Sequence, residues 1–581
     1  MKKRMGILLL GLALTLSACA PAGEKGTPEP TGAPEPAGTA AGTAAETYTG
    51  VGMGMKSEIQ VSVELTDGAI SDIQVLSAHD TAGIGEAAVA AFPRRILETQ
   101  NLDADVVTGA TMTCLGIKSA VSEALKSAGV DPETLRKGTQ AVERTEAPAQ
   151  QVDVVVVGSG IAGLTAAIEV ARKSGLSVLV VEKNGYTGGS SRVCGGGIWA
   201  VDSSINQTIG QDCPAEELID FLRERGDGKP INEALLRNLY AGAGDIIEFL
   251  YADGLPVSLE TWSLGHPDSQ LPVLWSVHNE EHPWAAGESR LLDAVQASAE
   301  KLGVEIRLNT RMTAVRSENG VVTGIRVEDL ESGYDIDAGK VILATGGFTR
   351  NPELIETYAP EYKDAFPFTG AGSTGDGILL TRELGAHVVG EGMMGLFGVN
   401  PGYGYYNSEG DLVWLPQLVV NREGEDFGLS QAFYSNTLQM LLDQTGSCGY
   451  GIFDSTTGVA DRLEQALEKN VVKKFGSLED LAAGMGIDPD ALKATAEEKG
   501  LAGGPYYAIV IRPLFIGSIP GLEVDENCRV LNEAGEPIEN LLACGELIFG
   551  NMFAVRYPAS GTGMGTSCYS GGLAARTAMA D

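Results

Sequence analysis

The sequence predicts an α/β protein in which a small α+β domain precedes a larger domain built on a parallel sheet. Three observations predict it. Val152 to Val157 is an unbroken apolar run, as in a strand buried on both faces; it leads into Gly158-Ser-Gly160-Ile-Ala-Gly163, a helix from Leu164 and a second strand from Ser177 to Val181. Upstream, Ile59 to Glu64 alternates as a strand, Asp67-Gly68 turns the chain, and Ile70 to Leu76 makes the return strand. The chain has 581 residues, enough for several domains.

The chain opens Met-Lys-Lys-Arg, then runs apolar from Gly6 to Leu16 and reaches Ser17-Ala18-Cys19. A basic start, a short apolar core and small residues before a cut make a secretory signal. The run is too short to span a bilayer as a permanent helix. Leu16-Ser-Ala-Cys19 resembles a bacterial lipobox. That resemblance implies a signal over 1–19, a diacylglyceryl-modified Cys19, and a lipid anchor on the outer face of the cytoplasmic membrane. An ordinary signal with a chance cysteine is the alternative. Residues 20–46 are rich in Pro, Gly, Thr, Ala and Glu and cannot bury enough surface to offset their ordering entropy, so they read as a flexible linker.

A net charge of −36 argues against nucleic acid as a partner, because binding it needs clustered cations. Eight cysteines in a chain this long make no disulfide scaffold. Without a C-x-x-C or C-x-x-C-H spacing, a c-type haem is excluded and a four-cysteine cluster is disfavoured; no metal site is expected.

The first domain is placed at 47–130. After the hairpin comes a helical stretch from Ala87 to Thr99, then Asp105-Val-Val-Thr-Gly-Ala-Thr-Met-Thr113, then an amphipathic helix from Ile117 to Ala128 that stops at Gly129. The plain alternative for the threonine string is a turn before a helix, with Thr113 as its cap. The string resembles the acceptor of covalently flavinylated FMN-binding domains (Asp-x-x-Ser/Thr-Gly-Ala-Thr-x-Ser/Thr), and the layout around it covers that domain's length. The resemblance implies FMN joined by a phosphodiester to Thr113, installed by a flavin transferase. Small Gly109 and Ala110 would let the transferase or the flavin phosphate approach the backbone.

A second linker, 131–150, leads to the glycine turn. A lone GxGxxG is a weak signal. Here it lies between strand and helix, with Glu182 about twenty residues on, as dinucleotide binding requires. Helix-start amides would hold a pyrophosphate and Glu182 the ribose hydroxyls. Gly188-Gly-Ser-Ser191, Gly195-Gly-Gly197, Ala344-Thr-Gly-Gly347, Thr374-Gly-Asp-Gly377 and Cys544-Gly-Glu546 follow in order. They resemble the flavin-contacting turns of the fumarate reductase flavoprotein family, including its urocanate- and cinnamate-reductase-like members. The resemblance implies a Rossmann-like FAD-binding domain in two parts, 151–390 and 518–581, interrupted by an α+β capping domain at 391–517. The substrate would lie between cap and flavin ring, and a closing cap would exclude water. The FAD is expected to be non-covalent, since the family's covalent histidine is missing. Its candidate contacts are Gly158, Gly160, Ala162, Gly163, Glu182, Lys183, Gly189, Ser190, Ser191, Gly196, Gly197, Gly346, Gly347, Thr374, Asp376, Glu546, Gly561 and Thr562.

Fumarate is a small dianion, and the family pattern surrounds it with two histidines, a clamping arginine and a proton-donating arginine. The clamping arginine follows the Gly-Glu turn by ten residues, which is Arg556. The proton donor follows Asn421 by thirteen and lands on Tyr434; the first histidine precedes Asn421 by twenty-four and lands on Phe397. The acid and base of the proton relay fall on Gly410 and Val413. The second histidine should follow Tyr506 and Tyr507, but Phe515 to Gly521 contains none. A carboxylate buried without cationic partners is costly, so fumarate is not the expected substrate. Phe397 and tyrosines 403, 405, 406, 434, 506 and 507 offer flat apolar surface with hydroxyl handles. Phe397, Tyr507 and Arg556 are the candidate substrate contacts, with Tyr434 and Arg556 as the catalytic pair; ordinary packing is the alternative for each aromatic.

Together these readings imply an extracytoplasmic oxidoreductase. Membrane carriers would reduce FMN on Thr113, electrons would pass to FAD, and hydride from FAD N5 would reach an alkene conjugated to a carbonyl or carboxylate. Arg556 would stabilise the developing charge and Tyr434 would donate the proton. The substrate would be larger than fumarate, an aryl enoate or an enone. The alternatives are a ketosteroid-like dehydrogenase and an extracellular electron-transfer flavoprotein with no specific alkene.

Overall fold

Ile59, Val61 and Val63 alternate with polar neighbours, and strand pairing turns all three to one buried face. They sit in the middle strand of an antiparallel sheet ordered β1-β2-β3, formed by β1 (Glu46–Met53), β2 (Glu58–Thr66) and β3 (Ala69–Ala78). Helices α1 (Gly85–Thr99) and α2 (Thr111–Ser127) pack with that sheet around Phe92, Ile96, Ile117 and Val121. The computed structural model describes residues 46–580 apart from 55–57, 67, 79, 81–83, 139–143, 259–272, 277–290, 400–409, 433–435 and 469. The signal segment, Cys19, most of the first linker and tyrosines 403, 405, 406 and 434 therefore lie outside the described residues.

Two elements of this part differ from the sequence reading. No strand is expected ahead of Ile59, and Gly50 and Gly52 are poor strand formers. Tertiary packing reverses the preference: a Cβ at Gly52 would lie 2.1 Å from the Gly116 carbonyl oxygen, so only glycine lets this strand lie on α2. Helix α2 also starts at Thr111 rather than Ile117. Cys114, Ile117, Val121 and Ala124 recur at helical spacing and are buried, and that stripe outweighs the weak helix propensity of the threonines. The predicted stop holds, with Gly129 at φ +77° just beyond the last turn.

Among the described residues the large sheet has nine strands. β4 (Thr145–Glu146) and β5 (Gln150–Val157) both run parallel to the strand Ser332–Leu343. From β5, α3 (Ile161–Lys173) crosses to β6 (Val178–Val181), which pairs in parallel with both β5 and Glu305–Arg307. Val154 to Val157 are all buried, as an unbroken apolar run predicts for a strand covered on both faces. The far half of the chain returns to this sheet, where Pro537–Ala543 lies parallel to Ser332–Leu343. A last helix, Thr562–Ala580, then packs on α3.

A second sheet of six strands is organised by Tyr506–Ser518. Its alternation separates two cores: Tyr507, Ile509 and Ile511 join Phe397 and Phe453 on one side, while Tyr506 and Ala508 join Tyr450 and Leu481 on the other. Phe366–Pro367 also pairs with this strand, so the sheet recruits residues ahead of 391. Among the described residues no helix is long and apolar enough to cross a membrane.

Candidate functional site

The glycine turn after β5 is shaped by close approach. Gly158 sits at φ +107°, and a Cβ there would lie 2.3 Å from the Ala344 carbonyl oxygen. The turn delivers the chain into α3, a 13-residue helix whose N-cap, Gly160, contributes no side-chain hydrogen bond. The Ile161 amide donates to Ser191 Oγ at 3.2 Å, and the amides that follow it, with the helix dipole, favour an anion at this point. They open on a cleft whose wall includes Gly158, Gly160, Ala162, Glu182, Lys183, Gly189, Ser190, Ser191, Gly346, Asp376 and Glu546.

Other predicted contacts stand behind that wall. A Cβ on Gly163 would lie 1.9 Å from the Gly158 carbonyl oxygen, so Gly163 backs the turn. Gly347 packs against Glu546 and Ser518. Thr374 links Lys183 Nζ at 2.6 Å to Asp376 Oδ1 at 2.6 Å. Gly196 holds the left-handed backbone before Gly197, which pairs with Trp275. Gly561 abuts Trp199, and Thr562 opens the last helix with its hydroxyl donating to the Ala559 carbonyl.

Sequence reasoning missed Asn184 and Thr345, which line the cleft. Their side-chain oxygens, Asn184 Oδ1 and Thr345 Oγ1, are buried and have no hydrogen-bond partner among the described residues. Buried polar atoms are normally satisfied. With the open glycine turn and the helix start behind it, these orphans fit a large polar ligand carrying phosphates. Asn184 lies in no glycine-rich signature; Thr345 lies inside Ala344-Thr-Gly-Gly347, where the glycines drew the assignment and the hydroxyl did not.

Glu182 is placed differently from its predicted ribose role. Its Oε2 accepts from the Ser159 amide at 3.0 Å and hydroxyl at 2.7 Å, and Oε1 accepts from the Asn184 amide and side chain, both at 2.8 Å. Four bonds use the carboxylate's acceptor capacity. As placed, Glu182 braces the glycine turn rather than presenting a free acceptor to the cleft. Nearby, burial pushes the Asp376 carboxyl up, but Lys183, Thr374 and Arg311 more than offset this and hold it below its ordinary value. Burial pushes Glu546 up to about 7, against the pull of the Ser518 amide and hydroxyl and the Gly347 amide.

Thr113 occupies the first turn of α2, whose N-cap is Ala110. It is therefore inside the helix and not its cap. The residue is buried, and its hydroxyl donates to Asp80 Oδ2 at 2.8 Å. No side chain caps this helix start, so a phosphate esterified to Thr113 would meet the positive end of α2.

Arg556, expected to contact substrate, is engaged by protein. Its guanidinium pairs with Asp227 and donates to the side-chain oxygen of Asn436. Two predicted substrate contacts are corrected. Phe397 is buried in the second sheet's core, its ring centroid 4.1 Å from that of Trp414. The Tyr507 hydroxyl donates to Glu464, and Lys474 lies over its ring. Strand alternation sends both aromatics into that core. Val413 is likewise core, and His387 is tied to Glu523 at 2.8 Å.

Residues 153–564 match the family model described as the FAD binding domain, and residues 54–126 match that of the FMN-binding domain. The chain is 26% identical to the urocanate reductase of Eggerthella lenta, over 93% of this chain and 92% of that protein. It is 27% identical to the vinyl phenol reductase of Lactiplantibacillus plantarum, over 72% of this chain and 94% of that one. The open conformation of a flavocytochrome c3 fumarate reductase shares its fold, with a TM-score of 0.63 at 24% identity over 74% of this chain and 78% of that one.

Proposed function

The chain belongs to the FAD binding domain family, and from that premise we propose that it is an extracytoplasmic reductase of a C=C bond conjugated to a carbonyl or carboxylate, acting on a substrate larger than fumarate. A lipidated Cys19 anchors it, a membrane carrier supplies electrons, and a flavin transferase loads Thr113. Bound FAD supplies the hydride, and FMN on Thr113 supplies the electrons that renew it. The enzyme relatives support the reaction class: those named above act, by their names, on urocanate and vinyl phenol.

The observation that carries the substrate reading is the Asp227–Arg556–Asn436 contact. A guanidinium already paired with one carboxylate has little charge left for a dianion. The two positions expected to carry a histidine and a relay group in a fumarate enzyme are Phe397 and Val413, both buried in apolar core. Arg556 is left to polarise one oxygen of the substrate as charge develops there, and Tyr434 to donate a proton to the α-carbon.

The test is anaerobic reoxidation of the reduced protein by aryl enoates, enones, steroids and fumarate. Fast reoxidation by one larger alkene class supports the reading, and preference for fumarate overturns it. Dehydrogenation of a saturated ketosteroid would favour the ketosteroid alternative, and rapid reduction of soluble shuttles without any alkene turnover the electron-transfer one. Tyr434→Phe is expected to lower turnover by about 10²–10⁴-fold with flavin content unchanged; unaltered turnover removes Tyr434 from the chemistry. Asp227→Asn is expected to lower KM for a carboxylate-bearing alkene by about fivefold, the worth of an exposed ion pair near 1 kcal/mol. An unchanged KM would mean that Asp227 does not compete with substrate for Arg556.

A further inference from the structure

One aromatic ring joins the two flavin regions. Tyr186 follows Asn184 in the loop after β6, whose residues Glu182, Lys183 and Asn184 line the large cleft. Yet its ring is buried in the small domain's core, where Val107, Ala110 and Cys114 of the threonine-motif segment also lie. Gly109 of that motif has φ +85°, and a Cβ there would lie 2.4 Å from the Tyr186 hydroxyl oxygen and 2.6 Å from Cε1. The glycine thus makes room for the ring. Beside it, a Cβ on Gly185 would come within 2.7 Å of Val107 Cγ1, and Val193 packs on the same core.

The contact is specific. A buried tyrosine that serves only its own domain has no reason to meet a bare glycine of another core. Here the large domain supplies the ring and the small domain supplies the gap, four residues before Thr113. Burial pushes the Tyr186 hydroxyl up to about 12, so the side chain stays neutral and acts by shape.

We infer that Tyr186 is a positioning residue that seats the Asp105–Thr113 motif on the loop of the FAD cleft and thereby governs electron passage from the FMN site to the FAD site. The inference rests on the two-flavin reading above. Each alkene reduced takes two electrons from the external donor and two protons; Tyr186 is neither oxidised nor reduced. Electron passage depends on how the two sites are held, and the ring, with the Gly185–Val107 approach beside it, ties the motif to the cleft loop.

The test uses the full-length protein carrying both flavins, with Tyr186→Ala, Tyr186→Phe and Gly185→Val. A substoichiometric pulse of reduced methyl viologen is given, and the redistribution of electrons between the flavins is followed by absorbance. Amide hydrogen exchange over 107–114 is measured in parallel. Tyr186→Ala is expected to slow redistribution by about tenfold or more and to speed exchange, with both flavins still bound at full content. Tyr186→Phe keeps the ring and should match the parent. Gly185→Val, a wedge against Val107, should reproduce the Tyr186→Ala result without removing the ring. A double-mutant cycle separates positioning from general damage. In a Thr113→Ala background, direct reduction of FAD by the viologen should be indifferent to Tyr186→Ala. Unchanged redistribution, unchanged exchange, or equal slowing of FAD reduction in the Thr113→Ala background would overturn the inference. Absence of covalent flavin in the parent protein would instead overturn the FMN reading, and this is seen before any variant is made.

Discussion

Arg556→Ala is expected to lower kcat/KM by about 10²–10³-fold, most of it in kcat. The family spacing assigns Arg556 to the substrate, and among the described residues its guanidinium meets Asp227 and Asn436. A guanidinium stabilises charge that grows on the carbonyl or carboxylate oxygen during hydride arrival, so its removal is felt more in the transition state than in the ground state. Stability should change little. Asp227 would lose its partner, but its side chain is 51% exposed and water can take over. Arg556→Lys keeps the charge and loses the planar fork that reaches Asp227 and Asn436 together, so it should recover only part of the activity. Steady-state kinetics on the best alkene, with thermal unfolding as control, is the measurement. A loss below about fivefold would remove Arg556 from the chemistry.

Thr113→Ala is expected to abolish covalent FMN and, with it, turnover fed by the membrane donor. The hydroxyl is the only atom at this position able to form a phosphoester, and it is held by Asp80 at 2.8 Å in the first turn of α2. Thr113→Ser keeps that oxygen and should keep the flavin. FAD content should stay at the parent level, because the described residues that line the cleft lie from Val157 onward. Flavin fluorescence on a denaturing gel and intact mass distinguish the outcomes. Covalent flavin persisting in Thr113→Ala would show that another residue carries it, and full donor-fed turnover without it would remove FMN from the electron path.

What could be read from the sequence was local. The run Val152–Val157 and the glycine turn appear where the sequence placed them, and α3 begins at Ile161, three residues ahead of the expected Leu164, since a buried strand, a tight turn and a helix are each encoded by consecutive residues. The hairpin of β2 and β3 follows from the alternation of Ile59–Glu64 and the Asp67-Gly68 turn signal in the sequence. Strand β1 escaped notice, and its glycines argue against a strand until α2 is seen lying on them. The Phe397 and Tyr507 assignments failed for a related reason. Aromatic type and family spacing say nothing of which face of a strand a residue takes, and a shift of one residue reverses it.

By itself the sequence determined the glycine turn, the helix start behind it and the threonine string. Such sites bind through backbone amides and a single hydroxyl, and neighbouring residues suffice to build them. Only the tertiary structure decided which distant side chains meet. It engaged Glu182 with Ser159 and Asn184, set Asp227 and Asn436 on Arg556, and passed the ring of Tyr186 into the gap at Gly109. These partners come from separate strands, helices and loops, and the way those elements cross is set by packing of whole cores, which no local pattern records.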